Sequence, residues 1–61
     1  MKLTQIAGGD CGRDDCPTIY TTDRDTVVVR GDVVDIEAPA HEAAVEIPLT
    51  VLWEAVRALG R

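Results

Sequence analysis

The sequence predicts an α+β fold, with a small antiparallel sheet of three to four strands followed by one C-terminal amphipathic helix. Residues 18–22 and 26–30 are rich in Thr and Val and flank a short polar gap, which is the pattern of a β-hairpin. From Pro48 onward the apolar residues recur at helical spacing. A chain of 61 residues is long enough for one domain, residues 1–61, and too short for two.

Three further segments are candidates for the remaining one or two strands of the expected sheet. Residues 1–7 alternate with a period of two until a Gly-Gly pair ends the pattern. Residues 33–36 follow Gly31, so the chain either bends there at a bulge or begins another strand. Residues 43–47 have one apolar face, and Pro48 ends this segment. The sequence does not establish the order of these strands in the sheet.

The C-terminal helix is expected to pack an apolar face on the sheet. Pro48 suits its first turn and Gly60 suits its C-terminal cap. Trp53 is then expected to anchor the core, with an interface hot spot as the alternative role. The residues of the expected packing face are Leu49, Leu52, Trp53, Val56 and Leu59.

The chain is acidic, and its charge restricts the classes of partner. Eleven acidic and six basic residues give a formal charge of −5, which repels the phosphate backbone, so no direct nucleic-acid binding is predicted. An acidic surface suits a basic protein partner, although it is also an ordinary means of solubility. No segment has the length of a membrane span or the character of a secretory signal, so we predict a cytoplasmic protein with no membrane contact.

The pair Cys11 and Cys16 is the sharpest local motif. Its spacing suits half of a tetrahedral zinc site, which His41 and an aspartate would have to complete. A disulfide is the second alternative. Free thiols are expected ahead of both in a cytoplasmic chain, and no cofactor is predicted.

The sequence predicts no enzyme. Nucleophilic catalysis requires a nucleophile with a positioned base, and the chain has no Ser and a single His, His41. A dyad of Cys16 and His41 is the remaining arrangement of that kind. A chain of this size also leaves little room for a ligand pocket.

Val27 and Val29 are expected to form an interface together with Trp53. A strand rich in valine presents apolar side chains to both faces of its sheet, and one helix covers only one face. A homodimer or a partner helix would bury the face that the helix leaves open. The sequence therefore predicts a homodimer whose interface contains these three residues.

Two stretches, CPTIYTTDRDTVVVRGDVV and EAAVEIPLTVLWEAVRALG, resemble small actinobacterial proteins similar to domain-of-unknown-function family 397. In that family a Cys-led strand, a strand ending in Val-Arg and a strand running into a Trp-containing helix recur in this order. The corresponding positions here are Cys16, Val29 with Arg30, and residues 47–53. The resemblance implies a cytoplasmic protein that accompanies helix-turn-helix regulators of the Xre type, and it brings no catalytic residue.

Charge, the valine-rich strand and the resemblance lead to one functional prediction. The chain is expected to be a small acidic, non-catalytic regulatory or accessory protein that acts through protein contacts, with a helix-turn-helix transcription regulator as the candidate partner. The alternative is a thiol-based redox or zinc-binding module that uses the loop of Cys11 and Cys16.

Overall fold

The computed structural model describes residues 1–9 and 16–60, and within these it contains five strands and one helix. The α+β prediction is confirmed, with the helix at the C-terminal end. The elements are β1 (Leu3–Gly8), β2 (Thr18–Thr22), β3 (Val27–Arg30), β4 (Asp32–Val34), β5 (Ala44–Glu46) and α1 (Leu49–Ala58).

The strands form two antiparallel sheets. The first sheet has the order β1-β2-β3, and β4 pairs with β5 in a separate two-stranded sheet. Gly31 stands between β3 and β4, where a Cβ atom would overlap the carbonyl oxygen of Glu46. The close approach of β5 to Gly31 therefore requires glycine. The sequence allowed either a bulge or a new strand after Gly31, and the structure has a new strand, β4, which belongs to the second sheet.

The β2–β3 hairpin is held by the two threonines that close its loop. The Thr22 N–H donates to the Thr26 carbonyl at 3.0 Å. The Thr22 hydroxyl accepts hydrogen bonds from the N–H groups of Arg24 at 3.0 Å and Thr26 at 3.3 Å. Asp25 adopts a left-handed conformation with φ 61°, which is typical of a three-residue hairpin loop and tolerable for Asp. The predicted hairpin is confirmed.

The pairing register decides which side chains share the face under the helix. Ala7 pairs with Ile19, and Ile19 pairs with Val29. Directly paired residues point to the same side of a sheet. Val27 lies on this side too, because it is two residues from Val29. An irregularity between Gln5 and Ala7 in β1 shifts the register by one residue.

The core is small and lies between the first sheet and the helix. Ala7, Ile19 and Ala55 are buried there, and Ile6, Ile47 and Val51 pack partly buried against them. Most of the chain's large apolar side chains lie outside this cluster. The radius of gyration is 12.1 Å, whereas a compact domain of this length has about 10.5 Å. The fold is therefore open for its size.

Candidate functional site

The helix turns a broad apolar surface toward solvent. Leu49 is 70% exposed, Leu52 is 43% exposed and Trp53 is 57% exposed, while Val56 is half-buried. At about 100° per residue these four side chains fall within an arc of about 100°, and we call them the helix stripe. The expectation that Trp53 anchors the core is wrong, as is the expectation that this face packs on the sheet. The alternative role for Trp53, in an interface, stays a prediction.

The helix instead packs through its smaller residues, Ala55 and Val51, on β1 and β2. Its polar residues Thr50, Glu54 and Arg57 occupy an arc of only about 60° around the helix. The remaining apolar arc is therefore wider than the part of the helix surface that a three-stranded sheet can cover. The short Ala55 side chain lets the helix approach Ala7 and Ile19 closely. Only part of the wide apolar arc is buried as a result.

One polar contact fixes the rotation of the helix. The Gly8 N–H, at the end of β1, donates to Glu54 Oε1 at 3.3 Å. Glu54 therefore faces β1, and the helix stripe lies on the opposite flank, which is the side of β3. Glu54 was not singled out in the sequence, because a lone glutamate on a helix carries no signal of a partner so distant along the chain.

Val27 and Val29 form a second exposed apolar area, which we call the valine edge. Val27 is 50% exposed and Val29 is 38% exposed. Their expected position on the face without the helix is wrong, because the register places both on the face that carries Ile19 and the helix. They remain exposed because the helix packs on β1 and β2 and leaves the β3 edge of the sheet uncovered.

A shallow depression of about 410 Å³ joins the valine edge to the end of the helix. Val27 and Leu59 line it, together with Asp25 from the hairpin loop. Asp25 thus lines the same depression as apolar residues from both β3 and the end of the helix. This combination suits a partner that presents an apolar side chain next to a cation.

The total surface confirms that the chain is unusually exposed. It is 5003 Å², whereas a compact monomer of 6.6 kDa exposes about 3,900 Å². The excess of about 1,100 Å² exceeds the roughly 800 Å² that one partner contributes to a standard protein interface. The exposed side chains of the helix stripe and the valine edge contribute to this excess.

Cys16 is disulfide-bonded and 2% exposed, so the expectation of free thiols is wrong for this residue. Cys11 is the other cysteine of the sequence and lies outside the described residues. Thr18 is fully buried, and its hydroxyl donates to the Cys16 carbonyl at 2.9 Å. Arg30 Nη2 donates to the Thr18 hydroxyl at 3.2 Å and to the Cys16 carbonyl at 3.4 Å. These bonds hold the Cys16 backbone against β2 and β3.

His41 lies on an exposed turn between β4 and β5. Its φ is 71°, and the turn is closed by a hydrogen bond of 3.1 Å from the Glu42 N–H to the Pro39 carbonyl. Within residues 1–9 and 16–60, no three His, Cys, Asp or Glu side chains are grouped so that they could hold a metal ion. A disulfide also withholds Cys16 from zinc, which binds thiolates.

A second depression, of about 340 Å³, lies at the start of the helix. Asp32 and Glu46 line it with Pro48, and the two acidic residues are direct partners in the β4–β5 pairing. Like charges directly opposite each other destabilise a sheet. Asp32 and Glu46 therefore place two acidic residues opposite each other at the edge of this depression.

No protein-family model, curated protein or solved structure matches this chain. Among the described residues, no helix has the length and apolar character that crossing a membrane requires. The likeness to domain-of-unknown-function family 397 stays a prediction.

Proposed function

We propose that this chain is a non-catalytic regulatory or accessory protein that acts through contacts with other proteins. The observation that supports this proposal is the exposed apolar surface formed by the helix stripe and the valine edge. A surface of that extent is unusual on a protein that works alone, because exposed apolar area favours association. The cytoplasmic location predicted from the sequence belongs to the same proposal.

The valine edge is the part of this surface that suits a basic partner. Asp25 lines the depression beside Val27, and Asp23 belongs to the same hairpin loop. The net charge of −5 adds a long-range attraction for basic proteins and repels nucleic acid. A helix-turn-helix regulator, whose DNA-binding surface is basic, has this chemistry. Occupying that surface would oppose DNA binding.

Replacing Val27 with lysine is expected to abolish partner capture, because the charge enters an apolar contact and opposes a basic partner. The measurement is affinity capture from an extract of the native host, followed by a binding assay with the purified captured protein. Val33→Lys is the matched control, since Val33 is 77% exposed on the other sheet and the charge change is identical. Equal capture by the two variants, or recovery of the bait alone, would contradict the proposed function.

A redox-sensitive module is the second candidate function, favoured by the disulfide at Cys16. Disulfides persist mainly in oxidising compartments, whereas in the cytoplasm they are usually transient and redox-sensing. The Cys16 carbonyl bonds to Thr18 and Arg30, so a change at this cysteine reaches the paired ends of β2 and β3. Reduction would also be required before Cys16 could bind zinc.

With Cys11, the other cysteine of the sequence, as its partner, the Cys16 disulfide would close a loop of residues 11–16. Its loss is expected to lower the free energy of unfolding by about 2 kcal/mol, the chain-entropy value for a loop of that length. The test compares urea denaturation of the wild type, with and without reductant, and of Cys11→Ser, which leaves Cys16 in place. The reduced wild type and the variant should agree, and the variant should not respond to reductant. A wild-type stability that does not change on reduction would exclude a structural role for the disulfide.

A further inference from the structure

We infer that a partner protein binds this chain by strand addition, with an extended segment of the partner paired antiparallel to the outer edge of β3. The segment places apolar side chains opposite Val27 and Val29 and a cation beside Asp25. The inference rests on the proposed function, because it states how the valine edge binds its basic partner. The first sheet then gains a strand from another protein.

The backbone of β3 determines what kind of segment fits its outer edge. The Thr22 N–H donates to the Thr26 carbonyl, so these two residues form a hydrogen-bonded pair of the hairpin. Such pairs alternate along an antiparallel ladder with pairs that have no hydrogen bond, and Val27 and Val29 belong to the second kind. Their N–H and C=O groups therefore point away from β2, where β3 pairs with no other strand of the described residues 1–9 and 16–60. An antiparallel strand can exchange both bonds with each valine.

The opposite edge of the sheet, β1, is protected in ways that β3 is not. The register of β1 is irregular between Gln5 and Ala7, and irregularities of this kind hinder the addition of another strand. At the end of β1 the Gly8 N–H donates to the Glu54 carboxylate. The pairing of β3 with β2 is regular throughout. The sheet therefore offers β3, rather than β1, to a partner strand.

The charged side chain of β3 does not guard its outer edge. Arg30 Nη2 donates to the Thr18 hydroxyl at 3.2 Å and to the Cys16 carbonyl at 3.4 Å. Thr18 is the β2 residue that pairs with Arg30, so the guanidinium is held on the β2 side. A charge that projects past an edge strand is a common protection against strand pairing. Arg30 is withdrawn from that role.

The depression at the valine edge determines the side chains of the added segment. Opposing residues of paired strands point to the same face, so the partner residue opposite Val27 lies at the depression that Val27 and Leu59 line. An antiparallel segment then continues toward the hairpin loop. Among the described residues that line the depression, Asp25 is the charged one. An apolar side chain at Val27 followed by a cation at Asp25 matches this surface.

The test follows amide hydrogen exchange of the full, isotope-labelled chain by NMR spectroscopy during titration with a peptide. The probe is the acetylated and amidated peptide Thr-Val-Thr-Val-Thr-Lys, whose valines pair with Val29 and Val27 and whose lysine then lies beside Asp25. In the free chain the Val28 N–H, which points to β2, should exchange slowly, and those of Val27 and Val29 rapidly. Saturation with the peptide should slow exchange at Val27 and Val29 at least about tenfold, with a far smaller change at Val28.

A proline at the outer edge separates backbone pairing from side-chain contact. Val29→Pro removes an outward N–H and should abolish peptide binding, whereas an edge strand accepts proline where its N–H faces solvent. Urea denaturation checks that this variant is folded. Val29→Thr is the matched control, because it has nearly the same shape and keeps the N–H. It should bind within about fivefold of the wild type.

The reversed peptide Lys-Thr-Val-Thr-Val-Thr tests the direction of the added strand. It has the same composition and charge, but an antiparallel pairing places its lysine at the end of β3 far from Asp25. It should bind about threefold more weakly at low ionic strength. Asp25→Asn, which tolerates the same backbone conformation, should remove this difference. Asp35→Asn removes an equal charge from an exposed position in the second half of the chain and should preserve it.

Four results would overturn the inference. Binding without slower exchange at Val27 and Val29 would show that side chains alone make the contact. Equal affinity for the two peptides would contradict the antiparallel direction, and no binding at about 1 mM peptide would contradict strand addition itself. Slow exchange at Val27 and Val29 in the free chain, lost on dilution, would assign the edge to a second copy. The capture experiment with Val27→Lys tests the proposed function separately from all four.

Discussion

Replacing Gly8 with alanine is expected to destabilise the fold by about 3 kcal/mol or more, because strain and a steric overlap combine at this position. Gly8 has a φ of 70°, and a Cβ atom there would overlap the carbonyl oxygen of Pro17. A positive φ alone costs a residue with a side chain about 1–2 kcal/mol. The overlap would also displace the hydrogen bond of 3.0 Å from the Gly9 N–H to that carbonyl.

The matched control for this prediction is Gly60→Ala. Gly60 has nearly the same φ, 75°, but among residues 1–9 and 16–60 no atom beyond its chain neighbours and the adjoining helix backbone lies within 4 Å of an added Cβ atom. Urea denaturation at one protein concentration should therefore give a loss of only about 1–2 kcal/mol for Gly60→Ala. The difference between the variants isolates the close approach of β1 to Pro17. Equal losses would show that backbone strain accounts for the whole effect at Gly8.

The local elements could be predicted because each depends on residues that are neighbours in the sequence. The hairpin follows from two β-branched segments around Asp23, Arg24 and Asp25, and the helix follows from apolar spacing after Pro48. The second sheet could not be predicted. It depends on the contact of Gly31 with Glu46, which lie fifteen residues apart in the chain. Patterns of neighbouring residues contain no information on a contact between residues so far apart in the chain.

The rotation of the helix could not be predicted for a different reason. With polar residues on an arc of about 60°, nearly every other direction is apolar and could face the sheet. The choice depends on the fit of Ala55 to Ala7 and Ile19 and on the bond between Glu54 and Gly8. Val27 and Val29 were correctly expected to be exposed, but the reason is the narrow coverage of the sheet by the helix rather than an uncovered opposite face.

Ile19→Ala is the second change with a large expected effect, a loss of about 2–5 kcal/mol in the free energy of unfolding. Ile19 is 3% exposed and is the largest side chain among the buried residues Ala7, Ile19 and Ala55. Its truncation leaves a cavity where the helix meets the sheet, and two alanines cannot fill that space. A domain of 61 residues has a total stability of only about 3–9 kcal/mol, so a large share of the variant would be unfolded.

The measurement for Ile19→Ala is urea denaturation followed by far-ultraviolet circular dichroism, at the protein concentration used for the wild type, because self-association adds to apparent stability. Val33→Ala removes similar apolar atoms from an exposed position and should change stability by no more than about 0.5 kcal/mol. If both variants lost equally little, contact between the helix and β2 could not be what holds the monomer together.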